Sequence, residues 1–329
     1  MRKNRLTGTK NQRGLSLIEL MIAITIGLIL AAGIMQIFIS NKQTYRMQEG
    51  MSRMQENGRF AIDLLSRDLR MAGYYGCWTD TSTLVNTLND AATTPYNFNV
   101  ALEASDNTGI NGSDTITLRG AIDNGVRLTA AMASSTAGLS SQPAVPAPLS
   151  NDDIVVVSDC SAAAAFQITS YTDADGSVEH AVGGGSVPGN SNADLGRRFA
   201  TDALLYRVAT VQYFIALNAA GEPELMRQQG TAAPVALFEG VENMQILYGE
   251  DSDDDGSANR YLDASQVVNM DNVVSIRLSF LLRTIDEVGG ELDTQTYTLL
   301  GTVFDPVDDR RLRRVYSTTI KLRNRGRLS

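Results

Sequence analysis

Between Leu15 and Ile39 the chain carries one charged side chain, Glu19, in an otherwise apolar run. As a helix rising about 1.5 Å per residue, these roughly 25 residues reach about 37 Å, enough to cross a bilayer. The fourteen residues before it hold Arg2, Lys3, Arg5, Lys10 and Arg13 and no acid. Positive flanks stay on the cytoplasmic side of a membrane. A secretory signal would end in a small-residue cleavage site behind the apolar run, and Ile39-Ser40-Asn41-Lys42 does not fit one. The apolar helix is therefore expected to be retained, with the rest of the chain across the membrane.

The chain has 329 residues and a formal net charge of -9. Without its first fourteen residues it loses five bases and no acid, which moves the charge to -14. An acidic exterior disfavours nucleic acid, because phosphate binding needs a basic face. His180 is the single histidine, which removes most zinc sites and histidine-based triads. Cys77 and Cys160 lack CxxC spacing. With the bulk of the chain outside the cytoplasm, they are expected to form one disulfide.

Gly14 followed by Leu15-Ser16-Leu17-Ile18-Glu19-Leu20 resembles the class III signal of type IV pilins and pseudopilins. The resemblance implies that a membrane peptidase cuts between Gly14 and Leu15 and that the new N-terminus is methylated. The family's usual first mature residue is Phe, where this chain has Leu15, and Ser16 stands where Thr is common. Glu19 has a rationale of its own. A carboxylate in an apolar helix is costly in lipid and so is a functional candidate. After the cut, Glu19 of an incoming subunit could meet the Leu15 ammonium of its neighbour and set axial register. The bland alternative is a glutamate reaching the membrane edge.

Beyond the apolar run, Met47, Met51, Met54, Gly58, Ala61, Leu65, Leu69 and Ala72 recur at helical spacing, and Gly73 is placed to stop the helix. After Cys77 the pattern changes to strand-like runs at Thr115–Arg119, Ile154–Ser158, Phe166–Tyr171, Leu204–Leu217, Gln245–Tyr248, Val273–Leu282 and Val315–Leu322. Ala133–Pro148 and Gly176–Gly196 read as long surface loops. The expected fold is α+β: a long N-terminal helix, transmembrane in its first half, on a mainly antiparallel sheet. The segments are a cleaved leader over residues 1–14, a membrane or filament-core helix over 15–39, an amphipathic continuation over 40–73, and a β-rich domain over 74–329.

The interior resembles one branch of the pilins. Gly73-Tyr74-Tyr75-Gly76-Cys77, Asp159-Cys160, Gly240-Val241-Glu242-Asn243-Met244, Tyr248-Gly249-Glu250-Asp251 and Thr318-Thr319-Ile320-Lys321-Leu322-Arg323-Asn324 are, in this order, similar to PilW-type minor pilins. That resemblance implies a low-copy subunit that primes the type IV pilus with other minor pilins and sits at its tip, serving twitching motility and adhesion. It also implies other minor and major pilins, the prepilin peptidase, the assembly platform and a large tip adhesin as partners. The expected location is the bacterial inner membrane, with a periplasmic domain, and then the pilus. A J-type minor pseudopilin of type II secretion shares the same N-terminal motif, and an anchored adhesin that never polymerises is the rival from another class.

Two further motifs carry chemistry. Asp251-Ser252-Asp253-Asp254-Asp255-Gly256 fits the first half of a calcium loop, but Leu262 stands where an EF-hand needs its glutamate. Two readings are open: a calcium loop using Asp251, Asp253, Asp255 and Asp263, or a solvated acidic turn. Calcium is the one cofactor the sequence puts forward. Arg310, Arg311, Arg313, Arg314, Lys321, Arg323, Arg325 and Arg327 crowd the C-terminus. They read as the charged solvent face of a strand, with a patch for an acidic partner or DNA as the alternative. No GxSxG, HExxH or Cys–His arrangement is present, and no enzyme is expected.

Overall fold

The computed structural model describes residues 16–143, 148–184 and 186–324. The chain divides into two compact units, residues 1–50 and residues 51–329. The helix α1 (Leu17–Met71) runs through the first unit and opens the second. In the first unit every residue from Ser16 to Arg46 is exposed, and α1 is long and apolar enough to cross a membrane. Thr25 returns its hydroxyl proton to the Met21 carbonyl at 2.8 Å, so that this polar group needs no other partner.

In the second unit α1 becomes one-sided. Met54, Gly58, Ala61, Leu65 and Leu69 are buried at three- and four-residue steps. Gly73 ends the helix with a φ of 73° and donates its N–H to the Arg119 carbonyl at 2.8 Å. Gly120 faces that end: a Cβ there would lie 2.7 Å from the Met71 carbonyl oxygen, so only glycine lets backbone meet backbone.

The first sheet contains β1 (Leu102–Ser105), β2 (Thr115–Ala121), β3 (Ile154–Ser158), β4 (Ala163–Gln167), β5 (Leu204–Leu217), β6 (Pro223–Gln229) and β7 (Val235–Glu239). Its order is β4-β3-β5-β6-β7, with β2 also on β5 and β1 on β2; the short strand Val85–Asn86 joins β4 in parallel and these others pair antiparallel. The fourteen-residue β5 is the spine, pairing β3 through Leu204–Arg207, β2 through Val208–Tyr213 and β6 through Val211–Leu217. The second sheet has β8 (Val241–Glu250), β9 (Arg260–Leu262), β10 (Val273–Arg283) and β11 (Arg313–Lys321), antiparallel in the order β9-β8-β10-β11.

The core follows from these faces. Ala61, Leu65 and Leu69 pack with Tyr213 and Ile215 of β5 and with Met244, Leu278 and Phe280 of the second sheet. Val155 and Val157 point into a cluster with Phe166 and Leu205, whereas Val156 joins Tyr75 and Tyr206 on the other face. With both faces covered, β3 reads as an unbroken apolar run rather than an alternating one.

Two expectations are corrected. Phe166–Tyr171 is not one strand: β4 ends at Gln167 and a separate strand spans Ser170–Thr172. Gly176–Gly196 is not a surface excursion, because Val178, His180, Asn190 and Leu195 are buried. Asn190 replaces a missing strand neighbour. Its Oδ1 accepts from the Gln167 N–H at 2.7 Å, and its Nδ2 donates to the Gln167 carbonyl at 2.8 Å. Ala133–Pro148 likewise contributes the short strand Leu139–Ser140 and the buried Leu139, with residues 144–147 outside the described residues.

Asp114 clamps the sheets together. Its N–H donates to Met244 at 2.9 Å, its Oδ2 accepts from Ile246 at 2.7 Å and its Oδ1 from Asn107 at 2.8 Å. Burial, with the charges of Asp106 and Asp263, outweighs the two amides and pushes its pKa up to about 6. The folded protein then holds this proton more tightly than the unfolded chain does. Stability should fall by up to about 2–3 kcal/mol as pH rises from about 4 to about 6, and level off above. Urea unfolding across that range should show the slope in the wild type and lose it in Asp114→Asn.

Cys77 and Cys160 form a disulfide with Cα atoms 5.0 Å apart, tying the exit of α1 to the β3–β4 turn across 83 residues of sequence. Closing a loop of that length in the unfolded chain is worth about 4 kcal/mol. The double Cys→Ser variant should unfold at correspondingly lower denaturant. An unchanged midpoint would mean that the helix exit is held without the bridge.

Candidate functional site

At the head of α1, Ser16 and Glu19 cap each other. The Glu19 N–H donates to Ser16 Oγ at 3.2 Å, while Glu19 Oε2 accepts from the Ser16 N–H at 3.2 Å and from its hydroxyl at 3.3 Å. This Ser-x-x-Glu box satisfies two helix-end groups at once, and the positive end of the helix favours the carboxylate. Sequence reasoning treated Glu19 as waiting for a partner and missed the cap, although its spacing was readable from Ser16. Gly14 and Leu15, the expected cut, lie outside the described residues. Ser16, which caps Glu19, directly follows Leu15, the residue that would carry a new amine.

The acidic loop after β8 gathers three of the four carboxylates named for it. Asp251, Asp253 and Asp255 each offer a carboxylate oxygen, mutually within 4.8 Å. Asp251 is tied to its own loop, accepting the Gly256 N–H at 2.7 Å and that of Asp253 at 3.3 Å. Burial would raise its pKa, but these amides hold the carboxyl below its ordinary value. Such a group of oxygens suits a hard cation and equally suits a self-closed turn. Asp263 does not belong to it. The β8–β9 hairpin pairs Glu250 with Arg260 and Tyr248 with Leu262, which carries residue 263 about 10 Å back along the strands. There Asp263 acts on Asp114 instead.

The C-terminal bases separate into two groups. Arg313 and Arg311 do not lie on a solvent face. The Arg313 side chain is fully buried, with Nε 2.7 Å from Glu242 and Nη1 2.8 Å from Asp309 and 3.1 Å from Asp293. Arg311 meets Glu222 at 2.7 Å, and Arg283 reaches Glu242 at 3.0 Å. Burial alone would raise the pKa values of Glu222 and Asp309, yet their arginine partners hold both below the usual range. The network links the β5–β6 turn at Glu222 to the second sheet. The acids come from four places in the chain, so no local pattern signalled it. Arg310, Arg314, Lys321 and Arg323 remain exposed, and Arg325 and Arg327 lie outside the described residues.

Comparisons with known proteins fall on these features. Residues 9–35 match the prokaryotic N-terminal methylation motif, a span that contains Gly14 and Glu19. Residues 212–324 match the family of type IV pilus-assembly protein W, covering the second sheet and the arginine network. No curated protein matches the chain. Among solved structures, a type IV-like pilin from Thermus thermophilus aligns over 84% of this chain and 98% of its own, at 13% identity and a TM-score of 0.38.

Replacing Arg313 by Met leaves Glu242, whose side chain is 4% exposed, with Arg283 as its remaining cation and takes from Asp293 the arginine it pairs with. Breaking a buried pair from one side costs about 3–5 kcal/mol. Urea unfolding of Arg313→Met should report a loss of that size, whereas Arg314→Met, at an exposed position, should change stability by less than about 0.5 kcal/mol.

Proposed function

We propose that this chain is a type IV minor pilin, cut between Gly14 and Leu15, that works by entering a pilus rather than by catalysis; its two family matches support the reading. One observation carries the reading: the methylation motif coincides with a helix start at which Glu19 sits capped on Ser16, ahead of an apolar surface exposed on all sides. Before assembly that surface is solvated by lipid, and the cap keeps the carboxylate from lying bare in it. After the cut, the Leu15 ammonium supplies a cation. Glu19 can then exchange its hydrogen bonds to Ser16 for a charge-assisted contact with the ammonium of a neighbouring subunit, where low dielectric strengthens the attraction. The apolar helices then pack against those of other pilins, and the β-rich unit faces outward from the inner membrane. Priming of assembly, a place at the pilus tip, and service in twitching and adhesion follow as parts of the same proposal.

The N-terminal mass tests the cut: protein extracted from membranes should begin at a methylated Leu15, and a chain still starting at Met1 in piliated cells would end the proposal. Two substitutions separate the roles of Glu19. Glu19→Gln keeps an oxygen to cap Ser16 but no charge, so helix content should stay and incorporation into pili should fail. Glu19→Ala should lose both. Incorporation of Glu19→Gln at wild-type levels would reduce Glu19 to a helix cap.

A further inference from the structure

The strand β11 closes one side of the second sheet, with β10 as its single strand partner. The bond from the Leu322 N–H to the Val274 carbonyl fixes the phase of this pairing. Residues 314, 316, 318 and 320 therefore turn their backbone groups toward β10. Val315, Ser317, Thr319 and Lys321 turn theirs outward, and none of these groups has a hydrogen-bond partner among the described residues. Ser317, Thr319 and Lys321 are also exposed.

Two other sheet edges are managed. On β7 the Glu239 carbonyl accepts from Asn57 Nδ2 at 3.3 Å, and β9 is three residues long. β11 has nine residues, no proline and an unbroken register, so it lacks the usual defences of an open edge. Its remaining defence is charge. Between Arg310 and Asn324 there is no acid, and Arg310, Arg314, Lys321 and Arg323 are exposed without an ion pair among the described residues. On a chain of net charge -9 this is a local positive stripe.

We infer that the open edge of β11 takes an extended acidic strand from another polypeptide, added to the sheet by main-chain hydrogen bonds. The backbone row supplies affinity and the flanking cations select for acid. A second copy is disfavoured, because pairing two β11 edges would bring together two segments that carry bases and no acid from Arg310 to Asn324. Nucleic acid answers the charge but not the alternating donors and acceptors of a strand edge. The inference does not depend on the pilus reading, since the edge would be open in any anchored form of the chain.

The test uses the full chain in detergent, with a synthetic peptide alternating glutamate and valine as the probe. Hydrogen exchange measured by mass spectrometry should slow across β11 on adding this peptide, and not on adding its lysine counterpart. Thr319→Pro removes one outward N–H at an edge position that tolerates proline, and should weaken binding about tenfold. Lys321→Glu should also weaken it while leaving the thermal midpoint in place; this variant decides the matter if Thr319→Pro unfolds. Four results would overturn the inference: no slowing with the acidic peptide, equal binding of the lysine peptide, β11 amides already protected by self-association of the full chain, or tight binding of a DNA oligonucleotide that leaves those amides exchanging freely.

Discussion

Apolar side chains on every side of α1 from Leu17 to Ile39 have no cover among the described residues, and that is the constraint any account of the chain must meet. A helix uniformly apolar in circumference is at home in lipid or among similar helices and not in water. Its backbone is satisfied internally, and so is the hydroxyl of Thr25. The polar exception at its head, Glu19, is satisfied by Ser16. Glu19 and Thr25 thus each have a partner a few residues away. That economy is what a segment needs if it is to exchange one apolar surround for another.

From Met54 onward the same helix obeys a different rule, with one face buried and the other charged. The change of periodicity lets one element serve two environments. In the second unit the long β5 does comparable work, since its first residues belong to the cluster around Val157 and its last to the cluster around α1. The clamp at Asp114 and the arginine network at Arg313 then join elements that the ladders leave separate. All of these ties are polar and buried, so they specify position more than they add stability.

What was legible in the sequence was what is local. The apolar run, the stripe from Met54 to Ala72, the stop at Gly73, and β3 and β5 end to end could be read from periodicity and turn residues. What was missed depends on distant partners. Asn190 looks like a loop residue until Gln167 is beside it, and Arg313 looks like a surface base until three segments deliver their acids. Asp263 failed for the opposite reason: twelve residues of spacing suggested a ligand, but strand geometry carried it away from the loop. β1, β6 and β7 were overlooked because their side chains do not alternate cleanly, and β6 and β7 also meet across a register shift at Leu225 and Met226.

Charge follows the same division between near and far. Reading the C-terminal bases as one solvent-facing set treats them as equivalent, and the structure divides them by which neighbours each can reach. Arg311 and Arg313 precede or open β11, close to Glu222, Glu242 and Asp309, and are neutralised there. Arg314 and Lys321 lie further along the strand, with neighbours of their own sign or none. An edge that is neutralised at its start and positive along its length has a direction, because an incoming strand meets charge only past the network. The clustering of basic residues that looked uniform in the sequence therefore becomes, once folded, a structural lock at one end and an open, signed edge at the other.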